Sequence, residues 1–161
     1  MRRRLLLGAA VTLSGCGFAL KRPPELNFKT IQLTGFALRS PLATELRTSL
    51  GASPTTRVVD SAGEAQVVLQ AISEAREKVV VSQTAANQIR EFELRLRFNF
   101  RVRTAAGKDL IPDSEILQRR SLTYTETAAL AKEQEEAFLY RAMQSDIVSQ
   151  VLRRLASLRL L

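Results

Sequence analysis

The sequence of 161 residues holds no histidine, no tryptophan and a single cysteine. Without histidine there is no side chain whose ordinary titration falls between pH 5 and 8, and the commonest general base and metal ligand is missing. One cysteine cannot close a disulfide within the chain, so stability must come from a packed core. Aspartate is scarce: Asp60, Asp109, Asp113 and Asp146 fall in expected turns or on the last helix, and no two have a spacing that suits paired acid and base work. No glycine-rich phosphate loop is present. Nothing in the pattern places Lys78, Lys108 or Lys132 beside a serine. No catalytic residues, metal site or cofactor are expected, and the chain does not read as an enzyme.

What is present begins at the first residues. Arg2, Arg3 and Arg4 precede an apolar stretch from Leu5 to Leu13, followed by Leu13-Ser14-Gly15-Cys16. That is the layout of a secretory signal with small residues at a cleavage point. The apolar stretch is shorter than the roughly 20 residues that cross a bilayer, so it addresses the chain without anchoring it. Residues 1–15 are expected to be removed, leaving the Cys16 thiol as the site of lipid attachment. Three acyl chains on one residue exceed the two signals that stable anchoring needs. Gly17, where an aspartate would retain an enterobacterial lipoprotein in the inner membrane, points to the outer membrane, with the chain on its periplasmic side.

The formal charge of +8 falls to +5 once Arg2, Arg3 and Arg4 are gone. In an envelope a basic balance favours lipid phosphates or acidic protein surfaces over nucleic acid, unless it only keeps the surface solvated.

Residues 16–27, with adjacent Pro23 and Pro24, read as an extended tether. Residues 28–161 read as one domain. Lys29 to Gly35 alternates, with Ile31 and Leu33 on one side, and predicts a strand. Ser40 offers an N-cap, Pro41 suits the first helical turn, Leu42, Leu46 and Leu50 recur four apart, and Gly51 is expected to end that helix in the left-handed conformation. Thr56 to Ala75, interrupted near Ser61 to Glu64, predicts a second strand with apolar residues on both faces. Glu91 to Arg103 gives the cleanest signal. Phe92, Leu94, Leu96, Phe98, Phe100 and Val102 fill one face, and Glu91, Glu93, Arg95, Arg97, Asn99, Arg101 and Arg103 the other. Thr104 to Asp113, with Gly107 and Pro112, reads as a connection to a strand over Glu115 to Glu126. From Ala128 the period lengthens, and Leu139, Met143, Ile147, Val151, Leu155 and Leu158 form the stripe of a long amphipathic helix. The order β-α-β-β-β-α predicts an α+β fold: a two-layer α/β sandwich, with a four-stranded sheet covered by two helices.

One polar feature stands out. Arg95, Arg97, Arg101 and Arg103 share a strand face, and Arg119 or Arg120 extends it. Alternate strand positions lie about 6 to 7 Å apart, a spacing that lets several guanidinium groups meet several phosphates. Glu91 and Glu93 neutralise one end, so an anion site belongs toward Arg101. The competing reading is a charged, solvated sheet face.

With these elements behind Leu13-Ser14-Gly15-Cys16-Gly17-Phe18, the chain resembles the LPS-assembly lipoprotein family, LptE, also called RlpB. The resemblance is carried by Phe28 to Arg47 with Ser40-Pro41-Leu42, by Ile89 to Arg103, and most specifically by Leu122-Thr123-Tyr124 through Ala129-Leu130-Ala131-Lys132-Glu133 to Leu152-Arg153-Arg154-Leu155. It implies a subunit of the outer-membrane translocon that places lipopolysaccharide in the outer leaflet. Such a subunit sits in the lumen of the LptD β-barrel, helps it assemble, plugs it and binds lipopolysaccharide. Of the family's features only the lipid attachment site transfers residue by residue, onto Cys16. The alternative is a lipid-anchored scaffold of another envelope machine, without lipopolysaccharide contact.

Overall fold

The computed structural model describes residues 25–159, so the signal segment, Cys16 and most of the tether lie outside the described residues. Five strands and two helices occur in the order β1 (Thr30–Thr34), α1 (Pro41–Gly51), β2 (Arg57–Val59), β3 (Val67–Gln83), β4 (Ile89–Thr104), β5 (Asp109–Thr123) and α2 (Ala129–Ala156). They form one sheet in the order β2-β1-β3-β4-β5. β1 runs parallel to β2 and β3, whereas β3, β4 and β5 form an antiparallel meander.

The mixed two-layer α+β architecture agrees with the sequence, but the sheet has five strands, not four. The single strand expected over Thr56 to Ala75 is two. Arg57–Val59 pairs only with β1, at the sheet edge, a single 3-10 turn comes next at Ala62–Glu64, and β3 starts on the other side of β1 at Val67. Three residues carry too little periodicity to be told apart from the longer strand after them. Nor is β3 buried on both faces: Val67, Leu69 and Ala71 are buried, while Ile72 is 43% exposed.

The reason lies in a bulge. Ala71 opposes Phe100 and Ser73 opposes Asn99, leaving Ile72 as an extra residue. The insertion reverses the parity of β3. Odd-numbered residues face the helices before Ile72. Beyond it Glu74, Arg76, Lys78 and Val80 do, opposite Phe98, Leu96, Leu94 and Phe92.

From Glu91 onward β4 keeps one parity. Leu94, Leu96, Phe98, Phe100 and Val102 are buried and Phe92 packs at their margin. Helix α1 is capped by Ser40 Oγ, which accepts from the Ala43 amide at 3.1 Å, and buries Leu42, Leu46 and Leu50 as its spacing predicts. Gly51, however, is the last helical residue, and Ala52 comes after it with φ −76°. No left-handed residue ends this helix, because the Ala52 amide reaches the Thr48 and Leu50 carbonyls directly. Helix α2 buries Tyr140, Met143, Gln144, Ile147, Val148, Val151 and Leu155, with Leu139 and Leu152 at the margin.

β5 begins at Asp109, within the expected connection. Pro112 sits where Phe100 opposes Ser114 but Val102 opposes Ile111, an irregular stretch of an edge strand. That is where a sheet accepts a proline, since no ladder bond is asked of its nitrogen.

Candidate functional site

The strand faces divide the sheet into a side covered by α1 and α2 and an open side. The one extra residue of β4, Arg90, comes before Glu91, so Arg95, Arg97, Arg101 and Arg103 share one parity and all stand on the open side, as expected. Arg119 on β5 lies directly opposite Arg95 and joins them. Arg120 does not. It points to the helix layer, where Nη2 donates to Asp146 Oδ2 on α2 at 2.7 Å.

Arg95, Arg97, Arg101 and Arg103 each meet a carboxylate. Arg95 Nε lies 2.5 Å from Glu93 Oε1, and its Nη1 is 3.8 Å from Glu77 Oε2 on β3. Arg97 Nη1 reaches Glu115 Oε2 on β5 at 2.8 Å, and Arg103 Nε reaches Asp109 Oδ1 at 2.7 Å. Arg101 donates from Nε to Gln70 Oε1 at 3.1 Å, while Asp113 Oδ1 stands 3.5 Å from its Nη1. Between these pairs Asn99 Nδ2 donates to Ser73 Oγ at 2.8 Å. The face is thus a ladder of ion pairs across β3, β4 and β5. The carboxylates were not legible as partners, because strand register decides which one stands opposite which arginine.

The two ends of the ladder differ. Arg95 is held from two sides by glutamates on regular strands. Arg101 and Arg103 are met by Asp113 and Asp109, which stand 66% and 55% exposed on the irregular start of β5. Exposed carboxylates on an irregular strand give way to a competing anion at small cost.

A second polar region lies on the covered side, between α2 and β3. A groove of about 760 Å³ is lined by Arg76, Lys78, Glu136, Tyr140 and Gln144, with Pro41 at its rim. Lys78 Nζ meets Glu136 Oε2 at 2.6 Å and lies 4.3 Å from the Phe92 ring centre. Gln144 is buried and fully engaged, accepting from Arg76 and donating to Glu45 Oε2 at 2.6 Å. Tyr140 donates its hydroxyl to the Glu77 carbonyl at 2.8 Å. Burial, and then the neighbouring Glu136 charge, push its pKa above 10.0. Only the parity change at Ile72 turns Arg76 and Lys78 toward this groove, and the alternation read from Val67 gave no sign of it.

Among the described residues no three histidine, cysteine, aspartate or glutamate side chains group as metal ligands, and no helix is long and apolar enough to cross a membrane.

A family model described as "LptE: Lipopolysaccharide-assembly" matches residues 28–155, which takes in every strand and nearly all of α2. The chain belongs to the LptE family. The solved structures agree. Uncharacterized lipoprotein B from Nitrosomonas europaea is 30% identical with a TM-score of 0.76, over 88% of this chain and 91% of that one. Rare lipoprotein B from Shewanella oneidensis is 23% identical, TM-score 0.69, over 80% and 95%. A minor lipoprotein from Acinetobacter baumannii is 22% identical, TM-score 0.66, over 82% and 93%, and like the Shewanella protein it shows the shared fold. A search of curated protein sequences gave no significant match. Membership in the LptE family assigns the chain a role in lipopolysaccharide assembly as an envelope lipoprotein, in a family of assembly factors and not of enzymes.

Proposed function

We propose that the protein is held on the periplasmic side of the outer membrane by lipid on Cys16, sits in the lumen of an LptD β-barrel that it helps to assemble and to plug, and binds lipopolysaccharide. The observation that carries this reading is the family match over residues 28–155, which spans the whole two-layer domain. The geometry is compatible. β3 runs from Val67 to Gln83, about 50 Å at roughly 3.3 Å per residue, longer than the bilayer hydrocarbon layer of about 30 Å. A lumen wall is polar, and a sheet face of paired charges suits it better than an apolar one.

Within this reading the phosphates of lipopolysaccharide meet Arg101 and Arg103, where the competing carboxylates are most exposed. Capture of the tagged lipoprotein from membranes tests the partner. A stoichiometric large outer-membrane barrel is expected, and capture of another envelope assembly without one would favour the scaffold alternative. Replacing Arg101 and Arg103 by glutamate should weaken lipopolysaccharide binding and make the remainder less sensitive to salt, because fewer ion pairs are left to screen. A folded double variant that binds as the parent does would return these arginines to ordinary surface.

A further inference from the structure

β5 is an edge strand whose outer half offers an open ladder. Between Ser114 and Thr123 its pairing with β4 is continuous, without a register shift. The next rung fixes which backbone groups are used. The Tyr124 amide donates to the Arg90 carbonyl at 2.8 Å, which places even-numbered residues of β5 in the rungs bonded to β4. Bonded rungs alternate along an antiparallel ladder. Glu115, Leu117, Arg119 and Ser121 therefore turn their N–H and C=O groups outward. The Arg119 carbonyl is taken only by the neighbouring Arg120 guanidinium, at 2.9 Å.

The usual safeguards of an edge are unevenly placed. Pro112 and two irregular rungs blunt the first part of the strand. No proline or bulge interrupts the part beyond Ser114.

The side chains beside these free groups are self-complementary. Glu115, Leu117 and Arg119 occupy successive positions on the open face, so a two-fold axis through Leu117 sets Leu117 against its copy and Glu115 against the second copy's Arg119, twice. All three residues present free backbone groups, so the same register closes the hydrogen-bond ladder. An axis through Arg119 would oppose like charges. Arg119 also needs an anion: it is exposed, it stands opposite Arg95, and among the described residues it has no ion-pair partner.

We infer that the outer half of β5 pairs antiparallel with β5 of a second copy of this chain, about a two-fold axis at Leu117. The result is a ten-stranded sheet, about 48 Å wide at roughly 4.8 Å per strand, with both helix layers on one side. A sheet that wide is a state of the protein outside any barrel, so barrel entry and self-pairing compete for the β5 edge.

The full lipidated chain in detergent micelles, with no barrel present, tests this apart from the proposed function. The parent should sediment as a reversible dimer. Arg119→Glu and Glu115→Arg should each move the monomer–dimer midpoint to about tenfold higher concentration or beyond, since each places like charges opposite one another twice. An equimolar mixture of the two variants should dimerise again. Its mixed pairs are Glu115 with Arg119 on one side and the two introduced charges on the other. A parent that stays monomeric, variants that dimerise as the parent does, or a mixture that stays monomeric would each overturn the inference.

Discussion

Gly35 lies flat against the Ala71 carbonyl, so close that a Cβ on Gly35 would fall within the contact radius of that oxygen. Gly35 also has φ +77°, the left-handed region that only glycine enters freely. The contact joins the end of β1 to the last regular residue before the β3 bulge. Gly35→Ala should therefore cost at least about 2 kcal/mol, combining backbone strain with a clash that neither strand can relieve. Chemical denaturation checks it, and a midpoint within error of the parent would contradict the packing.

Phe98 is fully buried and stacks with Phe36 and Phe100 at centroid distances of 5.9 and 5.2 Å. Phe98→Ala should cost about 3 to 5 kcal/mol. Its neighbour Asn99, on the open face, bonds only the exposed Ser73 hydroxyl, and Asn99→Ala should change stability by about 0.5 kcal/mol or less. The contrast between adjacent positions, read by urea unfolding, tests the register of β4.

Tyr140 gives a prediction in pH. Its pKa is raised in the folded protein, so the folded state holds the phenol proton more tightly than the unfolded chain does. The stability this contributes is complete below pH 10 and is lost as pH rises through the folded value. Tyr140→Phe should lose about 1 kcal/mol at neutral pH through the missing bond to the Glu77 carbonyl. It should also lose stability less steeply than the parent above pH 10. Equal slopes in thermal melts across that window would place the hydroxyl in water.

For Cys16, which lies outside the described residues, Cys16→Ala should leave the precursor uncut and without lipid. Metabolic labelling with a fatty acid decides this, and label retained by the variant would assign the lipid elsewhere.

How much of the fold and of the charged face was legible depends on how long each pattern ran unbroken. β4 runs without a bulge from Glu91 onward, and its alternation gave the core face and the four arginines together. β3 is as long, but Ile72 reverses its parity, which hid both its extension to Gln83 and the groove residues Arg76 and Lys78. Pro112 argued for a loop, because the sequence does not say that β5 is an edge where a proline costs no bond. Arg119 and Arg120 differ by one position and so lie on opposite faces, and only the register with Arg95 says which joins the ladder.

Asn27 closes the start of the described chain against its end, donating from Nδ2 to the Ala156 and Leu158 carbonyls at 3.2 and 3.0 Å. Both described ends thus leave from one pole, while the Thr84 to Gln88 turn between β3 and β4 marks the other, about 50 Å away along β3. An affinity handle placed just beyond α2 would stand at the pole where the described chain begins. A reporter inserted at the exposed Ala85 and Ala86 would stand clear of it, in a turn whose neighbours are held by the strands on either side.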